Sequence, residues 1–437
     1  MSAEFSVLLL VGLLLVGIFS GIPLAWVIGF VGIGLPLVIW GPSFLAVAVT
    51  QSYDMVNNWV LIAVPLFVLM SLLLDKSGIM ADMYSAVYQW SGPLRGGLAV
   101  ATVIACTIFA ACVGVAAGGV VTMTIVALPH MFKYGYNRKI AIGSILAGGT
   151  LGQLIPPSIL MVLYGVVAQV SVGQMFASGF AAGVELSLIY IGYILIASYF
   201  KKDLCPALPV EERVGFREKV RGTTSLILPA LVVIVVLGSI FSGAASPTEA
   251  SAVGVVGALC CCVVNRQLKW GNVKNSLMET LNMSSMIGWL LLGSVCLASA
   301  FVAAGGGDLV EDLLMAIPGG RWPALMVVLV FLIILGMFME PTCIVLVAAP
   351  LFAPVIVKMG FDALWFAMLF MITLQMAYLT PPFGWSLFFL TGAAKPPVKL
   401  SEAYSASWIF VGLQLLGLAI FVIWPDSMLW PVHLLFK

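Results

Sequence analysis

Two proline pairs, Pro156-Pro157 and Pro381-Pro382, interrupt long apolar segments of this chain. They belong to a repeat. Pro129, Lys133, Gly135, Leu154, Pro156 and Pro157 align without a gap on Pro354, Lys358, Gly360, Leu379, Pro381 and Pro382, at a constant offset of 225 positions (Pro156 to Pro381). Proline removes a helical donor, clashes with the preceding turn and drives the residue before it out of the α region. A pair of them breaks a spanning helix and frees carbonyls that hydrocarbon cannot satisfy. One broken helix in each half of a duplicated membrane protein points to a transport site near the bilayer midplane.

That the setting is a membrane follows from composition. Of 437 residues, 62% are hydrophobic and 8% charged, against roughly 25% charged in soluble domains. Apolar runs long enough to cross ~30 Å of hydrocarbon recur along the whole chain. They predict spans at 5–20, 22–40, 58–74, 140–170, 173–200, 224–243, 248–264, 281–304, 363–391 and 404–424. The first run has no basic flank and is followed at once by the second, so it reads as a retained span and not a signal peptide. Two further stretches, 96–132 and 322–357, have Gly or Pro near their middle. Each is either two close-packed spans or a re-entrant hairpin.

Charge sets the sides. With both stretches as hairpins and the turn Lys133–Lys139 in the cytoplasm, only Arg321, Lys358 and Lys437 of the 19 basic residues fall outside. This is a strong positive-inside asymmetry. Charge excludes single spans; arms of about 15–17 residues, short for a crossing, favour hairpins. The turn after the first hairpin is then cytoplasmic and its repeat partner at Lys358–Asp362 external, so the halves are inverted. The expected fold is an all-α polytopic membrane protein, an inverted-topology repeat with two re-entrant hairpins and two broken helices. The expected organisation is scaffold helices at 1–95, a first transport repeat at 96–200, a cytoplasmic loop and second scaffold at 201–320, and a second transport repeat at 321–437.

Other chemistries find no footing. Eight cysteines form no CxxC pair and there are two histidines, which argues against a transition-metal site. There is no HExxH, P-loop or Ser/His/Asp arrangement, so an enzyme is not expected. No basic arm points to nucleic acid.

The constellation that remains is at the hairpin tips and breaks. The first tip is Val113-Gly114-Val115-Ala116-Ala117-Gly118 and the second Phe338-Met339-Glu340-Pro341-Thr342. Freed carbonyls suit a hard cation such as sodium, and half-helix N-termini suit an anionic group. Thr150, Gln153, Ser158, Thr342, Thr373, Thr380, Trp385 and Ser386 put polar side chains near the breaks, where no Arg or Lys occurs. An anion there is held by dipoles, hydroxyls and ions. Glu340 is a carboxylate at bilayer depth that balances a cation, takes a proton or caps the second hairpin arm beside Pro341. Glu185 reads as a polar clasp to a neighbouring helix or chain. Glu249, in Ser246-Pro247-Thr248-Glu249-Ala250, reads as a helix start.

These residues resemble the large membrane subunit, DctM-type, of the tripartite ATP-independent periplasmic (TRAP) transporters. The resemblance is carried by Gly149-Thr150-Leu151-Gly152-Gln153-Leu154-Ile155-Pro156-Pro157-Ser158, by 246–250, by Phe338-Met339-Glu340-Pro341 followed by Ala349 to Pro354, and by Thr380-Pro381-Pro382-Phe383-Gly384. It implies sodium-driven import of a small organic anion, carboxylate or sulfonate, across the inner (cytoplasmic) membrane of a bacterium or archaeon by an elevator motion. It also implies a periplasmic substrate-binding protein and a separate small Q-type membrane subunit as partners, in membrane lipid. A self-sufficient, ion-coupled anion carrier of similar build is the alternative. The resemblance places one sodium at carbonyls near Gly114, Gly152, Ile155 and Pro157. It places a second near Glu340, Thr342, Ala377, Thr380 and Pro382, with substrate near Thr150, Gln153, Ser158, Thr373, Trp385 and Ser386. Many relatives carry Ser-Gly-Ser where this chain has Val113-Gly114-Val115, so a first-tip ion must rely on backbone oxygen. The Phe383-Gly384-Trp385 version is closer to a branch labelled for mannitol or chloroaromatic acids. The side-chain-dependent ion site is expected in the second half.

Overall fold

The repeated residues are the ones that end and start helices. In a computed structural model, which describes residues 3–114, 116–201 and 203–436, the helices Ala116–Lys133 and Pro341–Lys358 end at the two repeat-related lysines. Gly135 and Gly360 follow at φ 72° and 83°, a left-handed turn that glycine adopts without steric cost. Asn137 and Asp362 come next. Each caps the following helix, its side chain accepting from the backbone N–H of Lys139 and Trp365 respectively. Val115 of the first tip, Lys202 and Lys437 lie outside the described residues.

Each broken helix forms as the prolines require. Arg138–Thr150 tightens into a 3₁₀ turn at Leu151–Gln153, passes through a turn and bend ending at the extended Ser158, and restarts as Ile159–Val167. Its partner runs Ala363–Ala377, breaks, and restarts as Trp385–Ala393. The Pro156–Pro157 and Pro381–Pro382 peptide bonds are both cis.

The hairpins pair Gly97–Val113 with Ala116–Lys133 and Arg321–Gly336 with Pro341–Lys358. Their second arms have 18 residues each, about 27 Å of helix. The first arms, 17 and 16 residues, match the expected length and the second arms exceed it by one residue, so length does not separate a hairpin from two crossings. Contact does. The first tip bends at Gly114, which lies against the carbonyl of Pro157, in the middle of the first broken helix. Gly336, at the second tip, lies against Ala377, where the second helix breaks. Each hairpin thus turns back at the level of a break.

The repeat also extends into the flanking helices. Ala3–Phe19 corresponds in chain position to Ile227–Phe241, Leu24–Trp40 to Pro247–Val264, and Ile79–Ser91 to Gly306–Met315. Phe44–Val56 and Trp59–Lys76 correspond to the single 34-residue helix Trp270–Ala303. In the first half that helix is interrupted at Asn58, whose side chain accepts from the Val60 N–H at 3.0 Å. These outer helices pack through small residues, as apolar solvent favours. At Gly32 a Cβ would meet the backbone N of Leu297 at 2.6 Å, so the crossing of Leu24–Trp40 over Trp270–Ala303 depends on that glycine.

Among the described residues, seven helices of 18 residues or more are apolar enough to cross a membrane. Ala3–Phe19 and Leu24–Trp40, expected as spans, are shorter. Charged contacts agree with inverted halves. After the first hairpin, Lys133 pairs with Glu212 at 3.6 Å and Arg138 with Glu402 at 2.8 Å, both partners in segments with the cytoplasmic charge signature. After the second, Lys358 pairs with Glu311 at 2.7 Å, in the acidic connection on the other side.

Glu249 completes a capping box with Ser246 at the start of Pro247–Val264, as the sequence suggests. Glu185 faces Ser427 of the final helix Asp426–Leu435, which packs along Val172–Phe200.

Candidate functional site

Two crossings bring the repeats together. The far half of the first broken helix, Ile159–Val167, packs on Pro341–Lys358 of the second hairpin. The far half of the second, Trp385–Ala393, packs on Ala116–Lys133 of the first. The 3₁₀ turn Leu151–Gln153 touches Ala363–Ala377. Both breaks and both tips therefore belong to one packed unit, and the sequence places no Arg or Lys within either tip or break.

In the first break, Gly152, Ile155 and Pro157 are buried. The N–H groups of Leu154 and Ile155 both donate to the Leu151 carbonyl, at 2.9 and 2.8 Å. Ser158 donates its hydroxyl to the Gln153 carbonyl at 2.6 Å, satisfying one acceptor freed by the prolines. The carbonyls of Ile155 and Pro157 accept no hydrogen bond among the described residues. Pro157 faces Gly114, whose φ of 37° turns the tip toward it. The structure so brings together Gly114 and Pro157, two of the four residues expected around the first ion.

The second break is spent differently. Ala377 and Thr380 carbonyls accept from the N–H groups of Thr380 and Gly384, at 3.0 and 3.1 Å. The Pro382 carbonyl accepts the Tyr404 hydroxyl at 2.6 Å. Thr342 donates to the Glu340 carboxylate at 2.9 Å. Glu340 stands at the N-cap of Pro341–Lys358, yet its side chain makes no capping bond, so the helix-cap reading does not hold. Each of these carbonyls keeps a second lone pair, and those of Leu379 and Pro381 accept no hydrogen bond among the described residues, so both breaks offer free backbone oxygen and the second adds a carboxylate.

The expected substrate residues divide. The hydroxyls of Thr150, Thr380 and Ser386 donate to the carbonyls of Ala147, Met376 and Tyr378, at 2.9, 2.8 and 2.7 Å. With Ser158 they brace their own breaks. Trp385 is 36% exposed at the start of its helix. Gln153 Oε1 and Thr373 Oγ1 are buried without a partner, as are both amide atoms of Gln375. Unpaired buried polar groups are costly; others occur elsewhere, such as both amide atoms of Gln414, and these three are the ones in or beside the breaks. Gln375 was missed as a site residue, although it occupies the repeat position of Thr150. Tyr404 was missed because it lies 22 positions beyond the carbonyl it binds. Aromatic rings line the second tip. Phe338 packs between Phe19 and Phe383, with centroids 5.6 and 6.0 Å away.

Inverted repeats with opposed hairpins, each meeting a broken helix, define a secondary-transporter fold. The family model for the tripartite ATP-independent periplasmic transporter DctM component matches residues 11–427, and the chain belongs to that family. It is 29% identical to the C4-dicarboxylate TRAP transporter large permease protein of Pseudomonas aeruginosa, over 89% of this chain and 90% of that one. It is 28% identical to the C4-dicarboxylate permease of Vibrio cholerae, covering 98% and 97% of the two chains. The isethionate TRAP transporter permease protein DctMQ of Oleidesulfovibrio alaskensis is 25% identical over 87% of this chain and 59% of its own. The crystal structure of the Alcanivorax borkumensis YdaH transporter aligns with a TM-score of 0.67 at 16% identity, covering 97% of this chain and 99% of that one. The last shows a shared fold alone. This is a multi-pass membrane protein, a transporter component and not an enzyme. TRAP large subunits work with a periplasmic binding protein and usually a small membrane subunit.

Proposed function

We propose that this chain is the inner-membrane permease through which a small organic anion enters the cell, driven by sodium and delivered by a periplasmic binding protein. The observation that carries this reading is the contact of the Gly114 tip with the unengaged carbonyl of Pro157, beside that of Ile155. A hard cation would satisfy carbonyls that hydrocarbon cannot. We assign one sodium to Gly114, Gly152, Ile155 and Pro157. We assign a second to the Glu340–Thr342 pair with the backbone of Ala377, Thr380 and Pro382, where the carboxylate offsets the charge.

The substrate anion then meets bound cations and the amides of Gln153 and Gln375 rather than arginine. Thr373 adds a hydroxyl. Segments 96–200 and 321–437 move as one body, an elevator, against 1–95 and 201–320. A separate small Q-type subunit braces the latter.

Uptake into proteoliposomes holding this chain and its small subunit, with the binding protein outside, tests the reading. A ligand screen by thermal shift on that binding protein supplies the substrate. Uptake should require both the binding protein and an inward sodium gradient. Equal uptake with potassium in place of sodium, or by the chain alone, would sink it.

A further inference from the structure

We infer that the first hairpin's hinge carries a binding site for one anionic phospholipid of the cytoplasmic leaflet. Between the linker into the hairpin and the cytoplasmic end of helix Val172–Phe200 runs a groove of about 360 Å³. Its walls are Leu94, Leu195, Ile196, Tyr199 and Phe200, and Arg95 stands at its rim. The walls are apolar and turned outward: Tyr199 is 75% and Phe200 78% exposed. In a spanning protein such a face meets acyl chains.

What sets this groove apart from general lipid contact is Arg95. Among the described residues its guanidinium makes no ion pair and no hydrogen bond. Among the described residues the Tyr199 hydroxyl, on the opposite wall, has no hydrogen-bond partner either. A planar guanidinium suits phosphate oxygens, and a tyrosine at headgroup depth is the usual interfacial arrangement. The positive-inside asymmetry places both at the cytoplasmic surface, where anionic lipids attract basic side chains.

A neighbouring cluster marks the same depth. The short helix Phe216–Thr223 packs on Ile79–Ser91. Trp90 donates its indole N–H to Thr223 Oγ1 at 2.9 Å, meets the Phe216 ring at 5.8 Å and lies under Lys219 at 5.7 Å. Aromatic bodies with basic heads are the signature of a membrane interface.

The site sits on a joint. Residues 92–96 connect Ile79–Ser91 to the first hairpin, and Gly96 has φ 76°. The linker is strapped to the following loop, Gly96 N–H to the Cys205 carbonyl and Leu208 N–H to the Gly92 carbonyl, both 3.0 Å. A phospholipid with its phosphate on Arg95 and a chain along Leu195–Phe200 ties this joint to helix Val172–Phe200.

Native mass spectrometry of the full chain, released from detergent with phosphatidylglycerol or phosphatidylcholine, tests this. The wild type should retain one phosphatidylglycerol in preference to phosphatidylcholine. Retention should fall about fivefold in Arg95→Gln, the loss expected for one interfacial basic residue. Arg95→Lys should keep most of it. Phosphatidylglycerol with a photoreactive acyl chain should label the peptide containing Leu195–Phe200 in the complex with the small subunit. Equal retention of the two lipids, an unchanged Arg95→Gln, or labelling of the small subunit by the lipid instead of that peptide would each overturn the site.

Discussion

Gly114→Ala is the sharpest perturbation the structure offers. Gly114 has φ 37°, and a methyl group on it would overlap the Pro157 carbonyl oxygen, a backbone atom that cannot rotate away. The left-handed conformation alone costs roughly 1–2 kcal/mol for a residue with Cβ. The overlap adds to that unless the tip withdraws. Withdrawal removes one wall of the proposed first ion site, and on that proposal losing one oxygen ligand should weaken apparent sodium affinity about tenfold, ~1.4 kcal/mol. Gly118→Ala is the matched control, since a Cβ there meets only a Val113 methyl at 3.5 Å, ordinary contact. The assay is uptake into proteoliposomes against sodium concentration, with thermal unfolding measured with and without sodium. Gly114→Ala should shift half-saturation upward and lose sodium-dependent stabilisation, while Gly118→Ala changes neither. A Gly114→Ala protein with wild-type sodium half-saturation and stabilisation would refute the argument.

Further outcomes follow from other parts of the molecule. Glu340→Gln should lower the sodium-to-substrate ratio in flux measurements, because the Glu340–Thr342 pair is the only carboxylate at either tip; an unchanged ratio would make the acid structural. Ser246→Ala removes the cap of Pro247–Val264 and should cost about 1 kcal/mol in thermal unfolding, with sodium half-saturation unaltered. Glu212 is held below the usual carboxylate range by the Tyr134 hydroxyl, then by the Lys133 charge. A depressed carboxylate stabilises above its unfolded value and loses that contribution as pH falls through its folded value. Hydrogen exchange in the 203–215 loop should therefore be flat from pH 6 to 8 in the protection it reports and rise only in acid below the ordinary glutamate range; protection lost near neutrality would contradict the pairing.

How much of this was readable beforehand depends on which residues carried it. The prolines, Gly135 and Gly360 impose backbone geometry that no other residue supplies cheaply, so breaks and turns stood out in the sequence. The outer helices repeat as clearly in structure, but lipid-facing positions accept any apolar residue, and no pattern survived to be seen. Helix Trp270–Ala303 starts well before the expected 281 because its first turns carry Asn272, Lys274, Asn275 and Glu279. Such residues read as loop in a hydropathy scan, yet a helix continues freely into water, where Glu279 reaches Lys76 at 3.7 Å. Hydroxyls near the breaks have their protons committed locally and only their lone pairs left for a ligand. Thr150, Ser158, Thr380 and Ser386 turn back on local carbonyls, a choice fixed by rotamer and not by spacing. Gln375 was the opposite case. Its repeat position beside the break was visible, and only burial without a partner gave it weight.

The most direct measurement is a pair of cryo-electron microscopy maps of the complex, in sodium and in choline. Density should appear between Gly114 and the carbonyls of Ile155 and Pro157 in sodium and vanish in choline. Identical maps at the first tip, from protein that still shows sodium-driven uptake, would contradict the assignment of the coupling ion to this break.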